Sequence, residues 1–236
     1  MKDHTVSAFD DELRELGAQV AEMGRLARES TVIAVGAIGE EAPGLTEQAG
    51  LLDRQIDALQ QKTEEAGILL IARRQPVAFD LREVVCALRI SNDLERIGDL
   101  AKNIAKRNAA LGATPPPAPL VTGLQRLSSL VVERLDMVLA AFAGRSASQA
   151  LGIWATDRAV DDVYTAVFRS ILTYMMEDPR NITACTQLVF VAKNLERIGD
   201  HVSNIAESVH YAATGEALDI IRPDTRDTVG EPAAAV

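Results

Sequence analysis

Apolar residues along this chain recur at steps of three and four positions, which is the period of an amphipathic helix. In the first predicted helix these positions are Leu13, Leu16, Val20, Met23 and Ala27. The same period returns in five further segments, separated by short stretches rich in glycine and proline. The pattern therefore predicts an all-α chain with six main helices and no sheet.

Breaks in this periodicity set the predicted helix boundaries. Thr46 is the predicted N-cap of the second helix. Pro76 and Pro179 are placed in the first turns of the third and last helices, where proline is tolerated. The predicted helices are a first one that ends before 40–44, followed by about 46–74, 76–111, 120–143, 147–177 and 179–214.

The strongest break is the stretch "GATPPPAP" at 112–119. Three consecutive prolines cannot continue a helix and favour an extended linker. We therefore predict a first three-helix bundle over 1–112, a proline-rich linker over 113–119 and a second three-helix bundle over 120–216. The remaining residues, 217–236, are predicted to be a disordered tail.

The two halves of the chain are related in sequence. The hexapeptide LERIGD occurs twice, 101 positions apart, and nine of the fourteen residues in 92–105 are identical in 193–206. The second helices also match, with "DRQID" at 53–57 and "DRAVD" at 157–161. The chain is therefore predicted to be a tandem duplication of two three-helix bundles.

Each half carries two pairs of acidic residues spaced four positions apart, one pair on its second helix and one on its third. Such residues lie on the same face of a helix, with Cβ atoms about 5–6 Å apart. On the third helices this face is opposite the apolar stripe, so one outward acidic face is predicted in each half. The pairs are Asp53/Asp57, Glu95/Asp99, Asp157/Asp161 and Glu196/Asp200.

Two interpretations of these faces are open. The simpler one is that they are the solvated sides of amphipathic helices, with Arg96 and Arg197 as ordinary surface charges. However, like charges four apart destabilise an isolated helix, and the arrangement occurs four times, which favours a functional face. Carboxylates, with the amides Asn103 and Asn204 as weaker candidates, are hard oxygen ligands suited to magnesium, calcium, manganese or iron. All eight carboxylates are therefore candidate metal ligands. The alternative functional interpretation is that the acidic faces dock a basic partner without any metal.

Composition narrows the possible functions further. The net charge of −10 disfavours binding to nucleic acid or to anionic lipid, so cations and basic proteins are the expected partners. No apolar run approaches the roughly 20 residues of a membrane span, and no signal peptide is evident, so we expect a cytoplasmic protein without membrane insertion. No nucleophile motif or phosphate-binding loop is present, so no enzyme is expected. The Glu-x-x-His pattern of di-iron bundles is absent, which argues against an iron-storing or iron-oxidising bundle.

Several small or polar residues also carry expectations. Gly98 and Gly199 sit in helix interiors at a cost of about 1 kcal/mol relative to alanine. Because both copies of the repeat keep this glycine, we expect the backbone of a neighbouring helix to approach closely there. Cys86 and Cys185 lie in apolar surroundings and are predicted to be buried, reduced thiols. His201 is predicted to be an exposed polar residue rather than a metal ligand.

Residues 72–107 and 171–207 resemble the two halves of the PhoU family, whose members are accessory proteins of phosphate transport and signalling. The resemblance covers about residues 5–220. It implies a cytoplasmic, all-helical, often homodimeric protein that negatively regulates phosphate uptake and the phosphate regulon. The implied partners are the ATPase subunit of a phosphate ABC transporter and a phosphate-sensing histidine kinase.

The resemblance also carries expectations about the site. It implies that the eight carboxylates of the acidic pairs hold metal ions, often iron or zinc. Partner contacts are expected at Asp80 and Arg82 of the "DLR" motif, and at Arg96 and Arg197. The "DLR" motif has no counterpart after Pro179, so a contact through it would belong to one half only.

Overall fold

The computed structural model describes residues 3–36, 38, 44–111 and 116–218, with side chains from Ala8 onward. All regular secondary structure in this part of the chain is helical, and a 3₁₀ turn at Pro179–Asn181 leads into the last helix. None of the described helices combines the length and hydrophobicity needed to cross a membrane. The helices are α1 (Asp3–Gly36), α2 (Leu45–Arg74), α3 (Ala78–Ala109), α4 (Ala118–Ala143), α5 (Ala147–Ala155), α6 (Arg158–Glu177) and α7 (Ile182–Thr214).

The predicted all-α duplication is confirmed, with one interruption. The segment predicted as one helix over 147–177 forms two helices, because the chain turns at Thr156 and Asp157. The guanidinium of Arg134, which is buried on α4, donates hydrogen bonds to the carbonyl oxygens of Ile153 at 2.7 Å and Thr156 at 3.0 Å. These bonds satisfy carbonyl groups that a continuing helix would have used.

Two helix starts differ from the prediction, and one helix end agrees with it. Thr46 does not cap α2, because the N-cap is Gly44, whose backbone is left-handed with φ 99°. The Thr46 hydroxyl instead donates to the carbonyl of Ala105 on α3 at 3.4 Å. Pro76 lies in the connection before α3 rather than in its first turn. Gly215, with φ 78°, ends α7 at the predicted place.

The proline-rich segment and the tail are only partly within the described residues. Pro116 and Pro117 lie outside any helix, and α4 begins at Ala118. The earlier part of the predicted linker, 113–115, lies outside the described part of the chain, as does residue 112 at the end of the predicted first bundle. Residues 217 and 218 of the predicted tail are described, and the rest of it, from residue 219 onward, is not.

Helices α1–α3 pack as one bundle, and α4–α7 pack as a second. The most extensive helix pairing in the molecule joins the two bundles, α3 against α7, and α1 also packs on α4. The pairing of α3 with α7 is antiparallel, because Cys86 Sγ bonds the carbonyl of Ser208 while Asp93 contacts His201. Buried apolar side chains from both bundles form one continuous core.

Three sequence-based expectations about side chains can be compared with this core. Both cysteines are buried and free, as predicted. Leu16, which is one of the predicted core positions of α1, is fully buried. The prediction that His201 is exposed was wrong, because its side chain is only 19% exposed and Nδ1 lies 2.9 Å from Asp93 Oδ1 across the boundary between the bundles.

The paired glycines mark where α2 meets α3 and where α6 meets α7. A Cβ atom added to Gly98 would lie 2.8 Å from Ile56 Cδ1, and one added to Gly199 would lie 3.0 Å from Val160 Cγ1. Close approach is therefore found at both sites, but the neighbour is a branched side chain rather than the predicted backbone. Ile56 and Val160 each stand between the two acidic residues of their helix, so the glycines set how closely those acids approach α3 and α7.

Replacing Gly98 with leucine should destabilise the protein by about 1–3 kcal/mol, because the larger side chain must displace Ile56 from a packed core. Gly17 on α1 is the matched control, since a Cβ there meets nothing within 4 Å. Gly17→Leu should be neutral or slightly stabilising, because leucine favours helix more than glycine does. Urea unfolding of both variants measures the difference.

The contact can be isolated with a double variant. Gly98→Leu combined with Ile56→Ala should lose less stability than the sum of the two single changes, because the second change removes the clashing group. Equal losses at Gly98 and Gly17, or strict additivity in the double variant, would contradict the assigned contact.

Candidate functional site

The structure brings together the four carboxylates predicted for the first half. We call Asp53 and Asp57 of α2 together with Glu95 and Asp99 of α3 the first acidic face. Their proximity is shown by electrostatic coupling, since the charges of Asp99, Asp57 and Asp53 all act on Glu95. Asp53 is the most deeply placed, with a side chain only 8% exposed.

A lysine lies in the middle of this first acidic face. Lys102 Nζ donates to Asp53 Oδ2 on α2 and to Asp99 Oδ1 on α3, both at 2.6 Å. Such charge-assisted bonds are stronger than bonds between neutral groups. One ammonium group therefore connects the two acidic helices of the first half.

Glu95 and Asp57, the other two carboxylates of the first acidic face, are repelled by neighbouring carboxylates. Partial burial raises the pKa of Glu95, the neighbouring carboxylates raise it further, and Arg96 opposes the shift. The pKa of Asp57 is likewise raised by burial and by the charge of Asp53, against the attraction of Lys102. Arg96 is exposed and lies 3.4 Å from Glu95 on the outer side.

The second half repeats the arrangement with different partners. We call Asp157, Asp161, Glu196 and Asp200 the second acidic face; the first two lie at the start of α6 and the others on α7. The Ser203 hydroxyl donates to Asp157 Oδ1 at 2.6 Å.

Basic groups contact the second acidic face at its sides. Lys193 Nζ donates to Glu196 Oε1 at 2.6 Å. Arg134 Nη2 lies 3.9 Å from Asp157 Oδ1. The other oxygen of Glu196, Oε2, is buried and has no hydrogen-bond partner among the described residues. A buried anionic oxygen without a partner is costly, so this face contains an unsatisfied group.

Carboxylate crowding is strongest at Asp200. Asp200 keeps an exposed surface, but partial desolvation, followed by the charges of Glu196 and Asp157, raises its pKa to about 6, although Lys193 opposes the shift. Asp161 adds a further repulsive charge. The four acids of the second half are therefore close enough to interact.

The two faces differ at the position of the bridging lysine. Lys102 aligns with Ser203 in the repeat, and Lys193 aligns with Asn92. Lys102 is absent from the residues predicted for the site, although it is one of the five positions at which the two fourteen-residue segments differ. Differences between otherwise identical copies were the available signal.

The fit of a metal ion can be tested against these residues. Among the described residues, no group of three or more His, Cys, Asp or Glu side chains is arranged to hold a metal ion. In the first acidic face an ammonium group already lies between the carboxylates. In the second, the oxygen ligands suit a hard cation, and Glu196 Oε2 is unsatisfied, but side chains must rotate to converge. Asn103 and Asn204 are exposed, and metal binding stays a prediction.

The predicted partner residues of the "DLR" motif lie at a different place, near the end of α7. Arg82 Nε donates to the carbonyl of Ala212 at 3.4 Å, and its guanidinium lies over the ring of Phe79. Asp80 occupies the first turn of α3, where the helix dipole favours a carboxylate. Arg82 thus joins the two halves within the molecule, and Arg197 is exposed.

A cleft of about 430 Å³ opens beside this junction and is lined by α1, α3, α4 and α7. Its polar group is an ion pair between Glu83 and Arg145. Burial raises the pKa of Glu83, although Arg145 opposes the shift. The rest of the lining is mainly apolar and includes Phe79, Cys86 and Phe142.

The fold and its two acidic faces define a duplicated three-helix-bundle protein, and comparison with known proteins gives its family. The PhoU domain matches residues 20–107 and 124–209, one match in each half. The chain therefore belongs to the PhoU family, which confirms the resemblance noted in the sequence.

Relatives and solved structures agree with this assignment. The chain is 46% identical over 223 residues to the phosphate-specific transport system accessory protein PhoU homolog of Caulobacter vibrioides (strain NA1000 / CB15N), covering 94% of this chain and 97% of the relative. It is 45% identical over 229 residues to the homolog of Rhizobium meliloti (strain 1021), and the match covers 96% of this chain and 97% of the relative. The crystal structure of PhoU from Pseudomonas aeruginosa superposes with a TM-score of 0.84 at 35% identity, covering 88% of this chain and 100% of that one. The crystal structure of the phosphate transport system regulatory protein PhoU from Streptococcus pneumoniae superposes with a TM-score of 0.82 at 31% identity. This match covers 90% of this chain and 100% of that one.

Asp200→Asn should raise the melting temperature at neutral pH. The native pKa of about 6 lies above the unfolded value of about 3.9, so ionisation destabilises the fold as pH rises through this window. The gain from asparagine should be largest above about pH 6 and should vanish near pH 4. Thermal melts from pH 4 to pH 8 measure it.

Asp99→Asn is the matched change in the first half. It removes a carboxylate that accepts a bond from Lys102, so it should give no gain at pH 7. A stabilisation by Asp99→Asn as large as that by Asp200→Asn, or a gain at Asp200 that does not depend on pH, would contradict this account.

Proposed function

We propose that this protein is a non-enzymatic, negative regulator of phosphate uptake. The observation that carries the proposal is family membership along both halves, together with relatives at 45–46% identity named as accessory proteins of a phosphate-specific transport system. In this proposal the protein lowers uptake and keeps phosphate-responsive genes silent when phosphate is plentiful.

The proposed partners are the ATPase subunit of the phosphate ABC transporter and the phosphate-sensing histidine kinase, which the protein meets in the cytoplasm. A net charge of −10, concentrated in part on two acidic faces, supports attachment to basic protein surfaces rather than to nucleic acid. Asp80, Arg82, Arg96 and Arg197 are the proposed contact residues. Because Arg82 also holds the end of α7, a partner bound there would act on the junction between the halves.

We also propose a homodimer. Large apolar side chains are exposed at positions that correspond in the repeat, Ile68 with Leu172 and Leu81 with Ile182. Exposed apolar side chains on both halves provide area that association can bury.

The acidic faces are the proposed place where cations act, with iron, zinc, manganese or magnesium as candidates. A bound metal ion would offset both the desolvation of Glu95 and Asp200 and the repulsion from neighbouring carboxylates, which together raise the pKa values of these two groups. A metal-free acidic docking face is the second candidate. It is favoured by Lys102 and Arg96, which show that basic side chains fit against these carboxylates.

Deleting the gene should leave a phosphate-responsive reporter at its starvation level in high-phosphate medium. The physical reason is loss of the component that transmits the state of the transporter to the kinase. Reporter activity in the wild-type, deleted and complemented strains measures the effect, and complementation with the full chain should restore silence.

Binding to the ATPase subunit gives a second readout in the same strains. Affinity capture with the full chain in high phosphate should recover that subunit, and Asp80→Asn should weaken recovery relative to the exposed control variant Arg126→Ala on α4. A reporter that stays silent in the deleted strain would overturn the proposed regulatory role.

A further inference from the structure

The cleft between the two halves combines an apolar lining with a carboxylate that is largely shielded from water. Its volume of about 430 Å³ falls within the range of small-molecule sites in proteins, roughly 300–1,000 Å³. Leu16, Ala87 and Val209 line it and are buried, so the cleft reaches the core of both halves. Glu83 supplies the carboxylate, and its side chain is only 11% exposed.

A guanidinium group of the same chain is already bound to this carboxylate. Arg145 lies in the turn between α4 and α5, and its Nη2 donates to Glu83 Oε2 at 3.1 Å while its Nε pairs with Oε1. The guanidinium carbon lies 6.0 Å from the centroid of the Phe79 ring, which is within reach of a cation–π contact. The cleft therefore binds a cationic head group between a carboxylate and an aromatic ring.

Arg145 is a weakly held counter-ion for Glu83. Its side chain is 62% exposed, so solvent screens the pair from one side. Its backbone is left-handed with φ 49°, which is strained for a residue that has a Cβ atom. Burial raises the pKa of Glu83 although Arg145 opposes the shift. A cation that enters the cleft with an apolar body would be better shielded from water, and release of Arg145 would relieve its backbone.

Backbone strain is concentrated in the segments that form this ion pair. Apart from glycines, the left-handed residues in the described part of the chain are Gln75, Ala78 and Arg145, each with φ 49°. Ala78 directly precedes Phe79 of the cleft lining, and Arg145 belongs to the lining itself. Such strain persists only where the surroundings impose it, and it clusters at ligand sites and switches.

The charges around the cleft favour a cation. Helices α4 and α7 both end at its wall, and the carbonyl groups at a helix C-terminus carry partial negative charge. Arg14 also lines the cleft, but its guanidinium pairs with Asp11 at 2.7 Å. An anionic ligand would be repelled by Glu83 and would separate that carboxylate from Arg145, which leaves a shielded charge without a partner.

We propose that this cleft binds a small amphipathic cation, a molecule with one ammonium or guanidinium group on an apolar body, which displaces Arg145 from Glu83. The head group pairs with Glu83 beside the ring of Phe79, and the apolar body lies against Cys86 and Phe142. Because Glu83 belongs to α3 and Arg145 follows α4, binding exchanges a contact between the two halves for a contact with the ligand.

The test titrates the full chain with phenylbutylamine, phenylbutanol and phenylbutyrate, which share an apolar body and differ in the charge of the head group. Calorimetry and ligand-observed NMR measure binding to the wild-type protein. The amine should bind more tightly than the alcohol, and the butyrate should bind least.

Substitutions at the ion pair separate the two partners. Glu83→Gln keeps the shape of the side chain and removes its charge, so amine binding should fall to the level of the alcohol. Arg145→Ala removes the internal competitor, so the amine should bind about fivefold more tightly, as expected for loss of a partly exposed ion pair. Arg180→Ala removes an arginine from an exposed pair with Asp178 and should leave binding unchanged.

Filling the cleft provides an independent check. Gly17 lines the cleft, and a Cβ atom there meets nothing within 4 Å. Gly17→Leu should therefore keep the fold and weaken binding of both the amine and the alcohol. Circular dichroism and thermal melts establish that each variant is folded.

An arginine side chain of another protein would carry the same head group, so the acetylated and amidated tripeptide Leu-Arg-Leu is titrated in parallel. Tighter binding of this peptide than of the amine would assign the site to a protein segment and overturn the small ligand. The proposal is also overturned if the wild-type protein binds no amine, if the butyrate binds as well as the amine, or if Glu83→Gln, Arg145→Ala and Gly17→Leu leave amine binding unchanged. These measurements use purified protein and are independent of the reporter result, so the proposed regulatory role is tested separately.

Discussion

The antiparallel packing of α3 against α7 is the interaction on which the rest of this structure depends. Each of these helices buries its apolar stripe in a core shared by both bundles. The pairing also sets the orientation of the other side of each helix, where the acidic residues lie. Polar contacts such as Asp93 with His201 and Arg82 with Ala212 follow the same boundary. A change in this pairing would therefore alter both acidic faces and the junction between the halves together.

Close packing at Gly98 and Gly199 brings a second acidic helix against each of these long helices. The cost is the desolvation of these carboxylates and the repulsion between them, which together raise the pKa values of Glu95 and Asp200. The two halves place different groups beside these carboxylates. The first places an ammonium group between the helices, and the second places a hydroxyl at the same position in the repeat.

Duplication explains how the two halves can differ at this position. After a bundle is doubled, either copy can change a central group while the shared core keeps both copies folded. In the first half this group is an ammonium that joins α2 to α3.

Properties that depend on a single helix could be read from the sequence alone. The helical period, the duplication and the acidic pairs on one helix face are set by residues within a few turns of one another, because a helix fixes the direction of each side chain relative to its neighbours. Properties that depend on which helix packs on which could not. Lys102 meets Asp53 from 49 positions away, and Arg134 reaches from α4 to the break between α5 and α6. Such contacts require that two particular faces meet at a particular height. Only the packed core sets that alignment, so the tertiary structure decided which carboxylates have a cation between them.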